Sequence, residues 1–228
     1  MLRRGLIKYA LVTLSSSGLA NVMEPWTGGR GAILMLHRVR PQHNKPFQPN
    51  AHLEVTPQFV DEALQNLRRR GTEFISIDEI PERLASPRGG RFMVVTLDDA
   101  SLDNLTYGLD VFESNDCPFT VYVTSGFVDR TALPWWVVLE QVIASRAIVD
   151  ARPLGGNSAE VLGSLQHKRR AFVRLSSQFK MLPEPEKQSK IQDFAAMHGL
   201  NVDALMNNNF MNWKQLQTLA ESPLATIG

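Results

Sequence analysis

Residues 92–97 read FMVVTL and are followed at once by two acids, Asp98 and Asp99. The run is apolar, rich in β-branched side chains and preceded by Gly89 and Gly90, which predicts a strand buried on both faces. Working outward, AILML at 32–36 is a second continuous apolar run and FTVYV at 119–123 a third. Residues 74–77 predict a further strand and 78–85 a short helix. Between the strands lie amphipathic stretches. Thr56 and Pro57 supply the N-cap and first turn of a helix whose apolar positions are Phe59, Val60, Ala63, Leu64 and Leu67, and Gly71 ends it. Leu102, Leu105, Leu109 and Phe112 recur at helical spacing. Alternation of this kind predicts an α/β fold, a parallel sheet with crossover helices.

The second half of the chain changes character. A helix is expected over 134–145, with Trp135, Trp136, Leu139, Val142 and Ile143 apolar, then a Pro/Gly loop at 151–157. Leu162, Leu165, Phe172, Leu175, Phe179 and Leu182 fit one long stripe, and two more helices are expected at 183–198 and 213–220. Residues 224–227 read as a returning strand, the fifth. The expected organisation is a basic segment at 1–30 and one domain at 31–228, with a helical excursion over about 158–221.

Composition narrows the partners. With 43% apolar and 21% charged residues the 228-residue chain reads as globular. Twenty-four basic against 23 acidic residues leave +1, so no nucleic-acid partner is expected. The first fifty residues hold seven basic residues against Glu24 alone. Within it, residues 1–23 read as a short basic amphipathic helix lying on the domain or on a membrane surface, rather than as a secretory signal. The expected location is cytoplasmic, with membrane association through the N-terminus. A single cysteine, Cys117, excludes an internal disulfide and reads as a packed, inert thiol.

In parallel α/β folds reactive groups collect at the C-terminal ends of strands. His37 stands there after the first strand, Asp98 and Asp99 after the central one, Thr124 and Ser125 after the third. A carboxylate pair leaving a buried strand is costly unless something neutralises it. A divalent cation on one acid would favour ionisation of both and leave the other free to accept a proton from water. The alternative for the same residues is a cap on the helix beginning near Leu102. Trp135 and Trp136 are read as core anchors, with sugar stacking the alternative. The basic runs at 68–70 and 168–170 are read as solvated faces, and His167 and His198 as exposed. Asp129 and Arg130 are secondary candidates.

Three segments, GAILMLHRV at 31–39, TLDDASLDN at 96–104 and PFTVYVTSGFVD at 118–129, together resemble the NodB-type polysaccharide deacetylases, in family order and spacing. The resemblance implies an incomplete distorted (β/α) barrel with a helical insertion and hydrolysis of acetyl groups on a glycan such as a chitooligosaccharide. It further implies Asp98 as catalytic base, Asp99 as ligand of a divalent metal, zinc in most members, and Asp103 and Asn104 as supports of the loop. His37 matches a stretch that lies close to the site in the family, as a supporting or substrate-side group. Departures are Leu97 for Phe, Ala100 for Gly and Ser101 for Tyr. The His-x-x-x-His metal motif that follows the last strand in the family is absent from these residues, so the chain is read as C-terminally truncated, its activity impaired and its open sheet prone to aggregation. The alternative is an inactive remnant or a carbohydrate-binding protein.

Overall fold

The computed structural model describes residues 29–86 and 90–228, scattered positions at 9, 12, 13, 16 and 17, and for Glu184 the backbone alone. The amphipathic reading of residues 1–23 therefore lies, those five positions apart, outside the described residues. No helix among the described residues is long and apolar enough to cross a membrane.

The strands predicted from apolar runs form one parallel sheet. β1 (Gly31–Leu36) pairs along β5 (Phe92–Asp98) over six residues. The other edge of β5 is shared: β4 (Glu73–Phe74) meets its start, at Phe92 and Met93, and β6 (Phe119–Tyr122) its end, from Val95 to Asp98. β9 (Ala225–Ile227) continues from β6. The sheet is five-stranded and open, with β1 and β9 as its edges and no barrel closure among the described residues. Two short strands, β2 (Arg38–Val39) and β3 (Glu54–Val55), pair separately.

Residues alternate across the sheet, so its two faces differ. Val95, Leu97, Phe119 and Val121 pack beneath α1 (Pro57–Arg69), α3 (Leu109–Ser114) and α9 (Trp213–Ala220) through Val60, Leu64, Phe112, Leu216 and Leu219. Phe112 stacks on Phe119 with ring centres 4.6 Å apart. The opposite face carries a cross-strand row of Thr96, Thr120 and Thr226, then Asp98 level with Tyr122. At its edge Ile33 and Met35 are 58% and 59% exposed, so β1 is not buried on both faces as its composition predicts.

Local chemistry explains the other differences. Thr56 caps α1 by accepting the Phe59 N–H at 3.1 Å, but Phe59 itself points to solvent and the buried stripe is Val60 and Leu64. The strand expected over 74–77 stops at Phe74, because Ser76 and Glu79 form a capping box that starts a 3-10 turn at Ile77, leading into α2 (Ile80–Ala85).

A second core lies in the later half. α5 (Trp135–Ser145), α6 (Leu165–Met181), α7 (Glu184–Met197) and α8 (Val202–Asn209) enclose Leu139, Ile143, Leu175, Phe179, Phe194 and Met206. Trp135 stacks on Phe179 and Trp136 meets Phe127 edge-on, so both are core anchors. The excursion is not wholly helical. The expected Pro/Gly loop is framed by an antiparallel hairpin, β7 (Ile148–Asp150) with β8 (Ala159–Val161). α8 escapes sequence detection because its apolar pair, Leu205 and Met206, is followed by three asparagines.

Candidate functional site

The site forms where β5 ends. Asp99 and Ala100 take φ of 72° and 53°, two consecutive left-handed residues without a glycine. Each costs an L-residue about 1 kcal/mol, and the turn is held by neighbours. Ser101 bridges Phe210 in antiparallel fashion, and the Met211 N–H donates to the Ala100 carbonyl at 3.0 Å. Ala100 thus adopts a left-handed conformation that glycine takes more readily.

This turn separates the two acids. Asp98 closes the strand, with His37 Nε2 3.9 Å from its Oδ2 and both side chains partly exposed. Asp99 accepts the Thr124 hydroxyl at 3.2 Å. Burial pushes the Asp99 carboxyl above the usual range, Asp98 adds to the rise, and His37, Thr124 and Arg38 oppose it. Neither acid accepts a backbone N–H among the described residues, so they do not act as caps for the helical stretch that follows. His37, Asp98, Asp99 and Thr124 therefore meet at three adjacent strand ends.

Asp103 and Asn104 behave differently. The buried Asp103 carboxylate receives Arg38 through Nε at 2.8 Å and Nη2 at 2.7 Å. Burial raises its carboxyl, with Arg38 and then Arg40 working against the rise. Arg38 continues through Nη1 to Asn209 Oδ1 at 3.0 Å, at the end of α8. Asp103 thus reaches the Asp99–Ala100 turn indirectly, through Arg38 and the Asn209–Met211 segment. Asn104 is fully buried and its side-chain amide has no partner among the described residues; its N–H donates to the Ser101 carbonyl at 3.0 Å. It opens a π-helical turn, Asn104–Gly108, a geometry frequent at functional sites. Arg38 is the residue sequence reasoning passed over, although it follows His37 directly.

Other candidates resolve as structure. Asp129 accepts the Trp213 indole N–H at 2.8 Å, and Arg130 donates to the Phe127 and Phe210 carbonyls, tying α4 (Ser125–Val128) to the α8–α9 segment. His198, expected to be exposed, is half-buried. Its Nδ1 lies 2.8 Å from the Phe194 carbonyl and its Nε2 accepts the Asp150 N–H at 2.9 Å. Cys117 is buried and its thiol pushed up to about 12 by burial, as an inert packed thiol should be.

A catalytic zinc takes about three protein ligands. Among the described residues no group of three His, Cys, Asp or Glu side chains converges as a metal site, and His37, Asp98 and Asp99 do not make one. The donors present do not fit a complete metal centre.

No family model and no curated protein matches the sequence. Solved structures similar to it include a de-N-acetylase from Aggregatibacter actinomycetemcomitans, with a TM-score of 0.45 and 12% identity over 88% of this chain and 54% of that one. This chain thus spans about half the length of that protein. Others are the Streptococcus pyogenes deacetylase PplD in complex with acetate (TM-score 0.40, 17% identity, 86% and 81% of the two chains) and IcaB from Ammonifex degensii (0.39, 18%, 86% and 98%).

Proposed function

We propose that this chain is a NodB-type polysaccharide deacetylase domain whose reaction, hydrolytic removal of an acetyl group from a glycan, centres on Asp98. One observation carries the reading: two adjacent carboxylates leave the central strand free of backbone hydrogen bonds, one beside an imidazole and the other on a hydroxyl. In this reading Asp98 accepts a proton from the attacking water. The water oxygen bonds to the acetyl carbonyl carbon, the bond to the sugar nitrogen or oxygen breaks, and acetate departs. His37 orients Asp98. Thr124 fixes Asp99, the one residue matching a family metal ligand. Tyr122, level with Asp98 and 42% exposed, offers a ring face to a sugar. A chitooligosaccharide is the substrate we favour.

The test is acetate release from chitooligosaccharides with and without added zinc. Impaired, slow release is expected from the unmodified chain, whose metal donor set is incomplete among the described residues, and Asp98→Asn is expected to lower it about a hundred-fold or more. The incomplete donor set favours a second reading, a remnant that binds glycans without turnover. Saturable glycan binding with no acetate under any metal, and no stoichiometric zinc by mass spectrometry, would establish that reading instead.

A further inference from the structure

A cavity of about 540 Å³ opens between residues 40–54 and helices α5 and α8. His37, Asp98 and Asp99 do not line it. Its size is ordinary for a small-molecule site, and its wall is mixed, with Leu53, Trp136, Val142 and Leu200 beside charges and amides. Arg38, Arg40, Lys45 and Arg146 line it against two acids, Glu54 and Glu140.

The local pairings leave the excess positive. Arg38 is held by Asp103 and Asn209, and Arg40 lies 3.7 Å from Glu54. Glu140 accepts the Asn50 amide at 2.6 Å; burial raises its carboxyl above the usual range and Glu54 adds to the rise, while the Asn50 hydrogen bond and then Lys45 oppose it. His43, on the same wall, is pushed below its usual range first by burial and then by Arg40 and Lys45. Lys45 makes no hydrogen bond or ion pair among the described residues. Arg146 uses Nη2, which donates to the His198 carbonyl at 2.6 Å, and keeps its other donors. The Gln141 and Asn208 side chains likewise make no hydrogen bond among the described residues.

We infer that this cleft binds a sugar-sized ligand bearing a carboxylate or phosphate, the anion taken by Lys45 and Arg146 and the hydroxyls by Gln141 and Asn208. An ammonium and a guanidinium suit the oxygens of either anion, and amides that both donate and accept suit hydroxyl groups. The donors come from the 40–54 loop, α5 and its C-terminal end, and α8, so the fold, not a sequence motif, assembles them.

Calorimetric titration of the full chain with glucuronate and with glucose 6-phosphate, glucose serving as the neutral control, tests this. At least one anionic probe is expected to saturate, with an affinity that weakens as salt rises, and the tighter of the two identifies carboxylate or phosphate. Glucose is expected to bind at least about tenfold more weakly, and Lys45→Gln with Arg146→Gln to weaken the anionic probe about tenfold. Both side chains are exposed, so the fold should survive the change. Asp98→Asn is expected to bind like the unmodified chain, which separates this cleft from the hydrolytic reading. Equal binding of glucose, no saturable binding of either anion, an unchanged double variant, or loss of binding in Asp98→Asn would each overturn the inference.

Discussion

The turn after β5 and the arginine network beside it both bury charge, yet they satisfy it in opposite ways. Asp103 is gripped by two nitrogens of Arg38, which is itself gripped by Asn209. Asp99, four residues earlier, has one threonine hydroxyl, and Asp98 has an imidazole 3.9 Å away. Both nitrogens meet Oδ2, and Oδ1 is buried without a hydrogen-bond partner among the described residues. A charge tied to a buried guanidinium holds elements together and is spent as a reagent. A charge left partly open costs stability and stays available for proton transfer.

The largest effect that would break this contrast is on the bound charge. Arg38→Met leaves Asp103 buried without its partner and cuts the tie to α8, and should lower stability by about 3–5 kcal/mol. Urea denaturation measures it. A loss below about 1 kcal/mol would mean that the network does not hold β2, the π turn and α8 together. Replacing Asp103 by Leu in the same chain should recover much of the loss, since no unpaired charge then remains.

The open charge should respond to pH. Burial raises the folded-state pKa of Asp99 above its unfolded value. Between the two values the folded chain binds more protons than the unfolded one, so this group's contribution to stability falls as pH rises through that window. Asp99→Asn removes the ionisable group while keeping its shape. Relative to the unmodified chain, the variant should gain stability as pH rises past the raised pKa and lose that gain in acid. Denaturation midpoints across the pH range check this, and parallel curves would show that Asp99 titrates normally.

The smallest effect concerns strain. Asp116 has a φ of 43° and is exposed, whereas Ala100 has a φ of 53° and is fully buried. Asp116→Gly should raise stability by about 0.5–1 kcal/mol by relieving the left-handed conformation. Ala100→Gly gains the same relief but loses a buried methyl worth about 0.8 kcal/mol, so its net change should be near zero. Thermal melts of the two variants distinguish them. A large gain at Ala100 would mean that its methyl contributes little to the core.

Much of the fold was legible because its signals are local. Five apolar runs announced five strands, and Thr56 capped the helix assigned to it. The acid pair was legible too, from its place after FMVVTL. What stayed hidden depended on partners far along the chain. Arg38 and Asp103 are 65 residues apart, and Arg38 and Asn209 are 171 apart, so no window of sequence contains the network. His198 read as exposed because its partner, Asp150, lies on a hairpin that composition had marked as the edge of a loop.

The sequence by itself determined which apolar runs become the strands of the sheet and the position of Asp98 and Asp99 at a strand end, since side-chain periodicity and turn chemistry act over a few residues. Only the tertiary structure decided which charges are tied and which are open, and that Lys45, Arg146, Gln141 and Asn208 line one cavity. Hydrogen bonding and burial depend on what the folded chain brings within a few ångströms, and distance along the sequence carries almost no information about that.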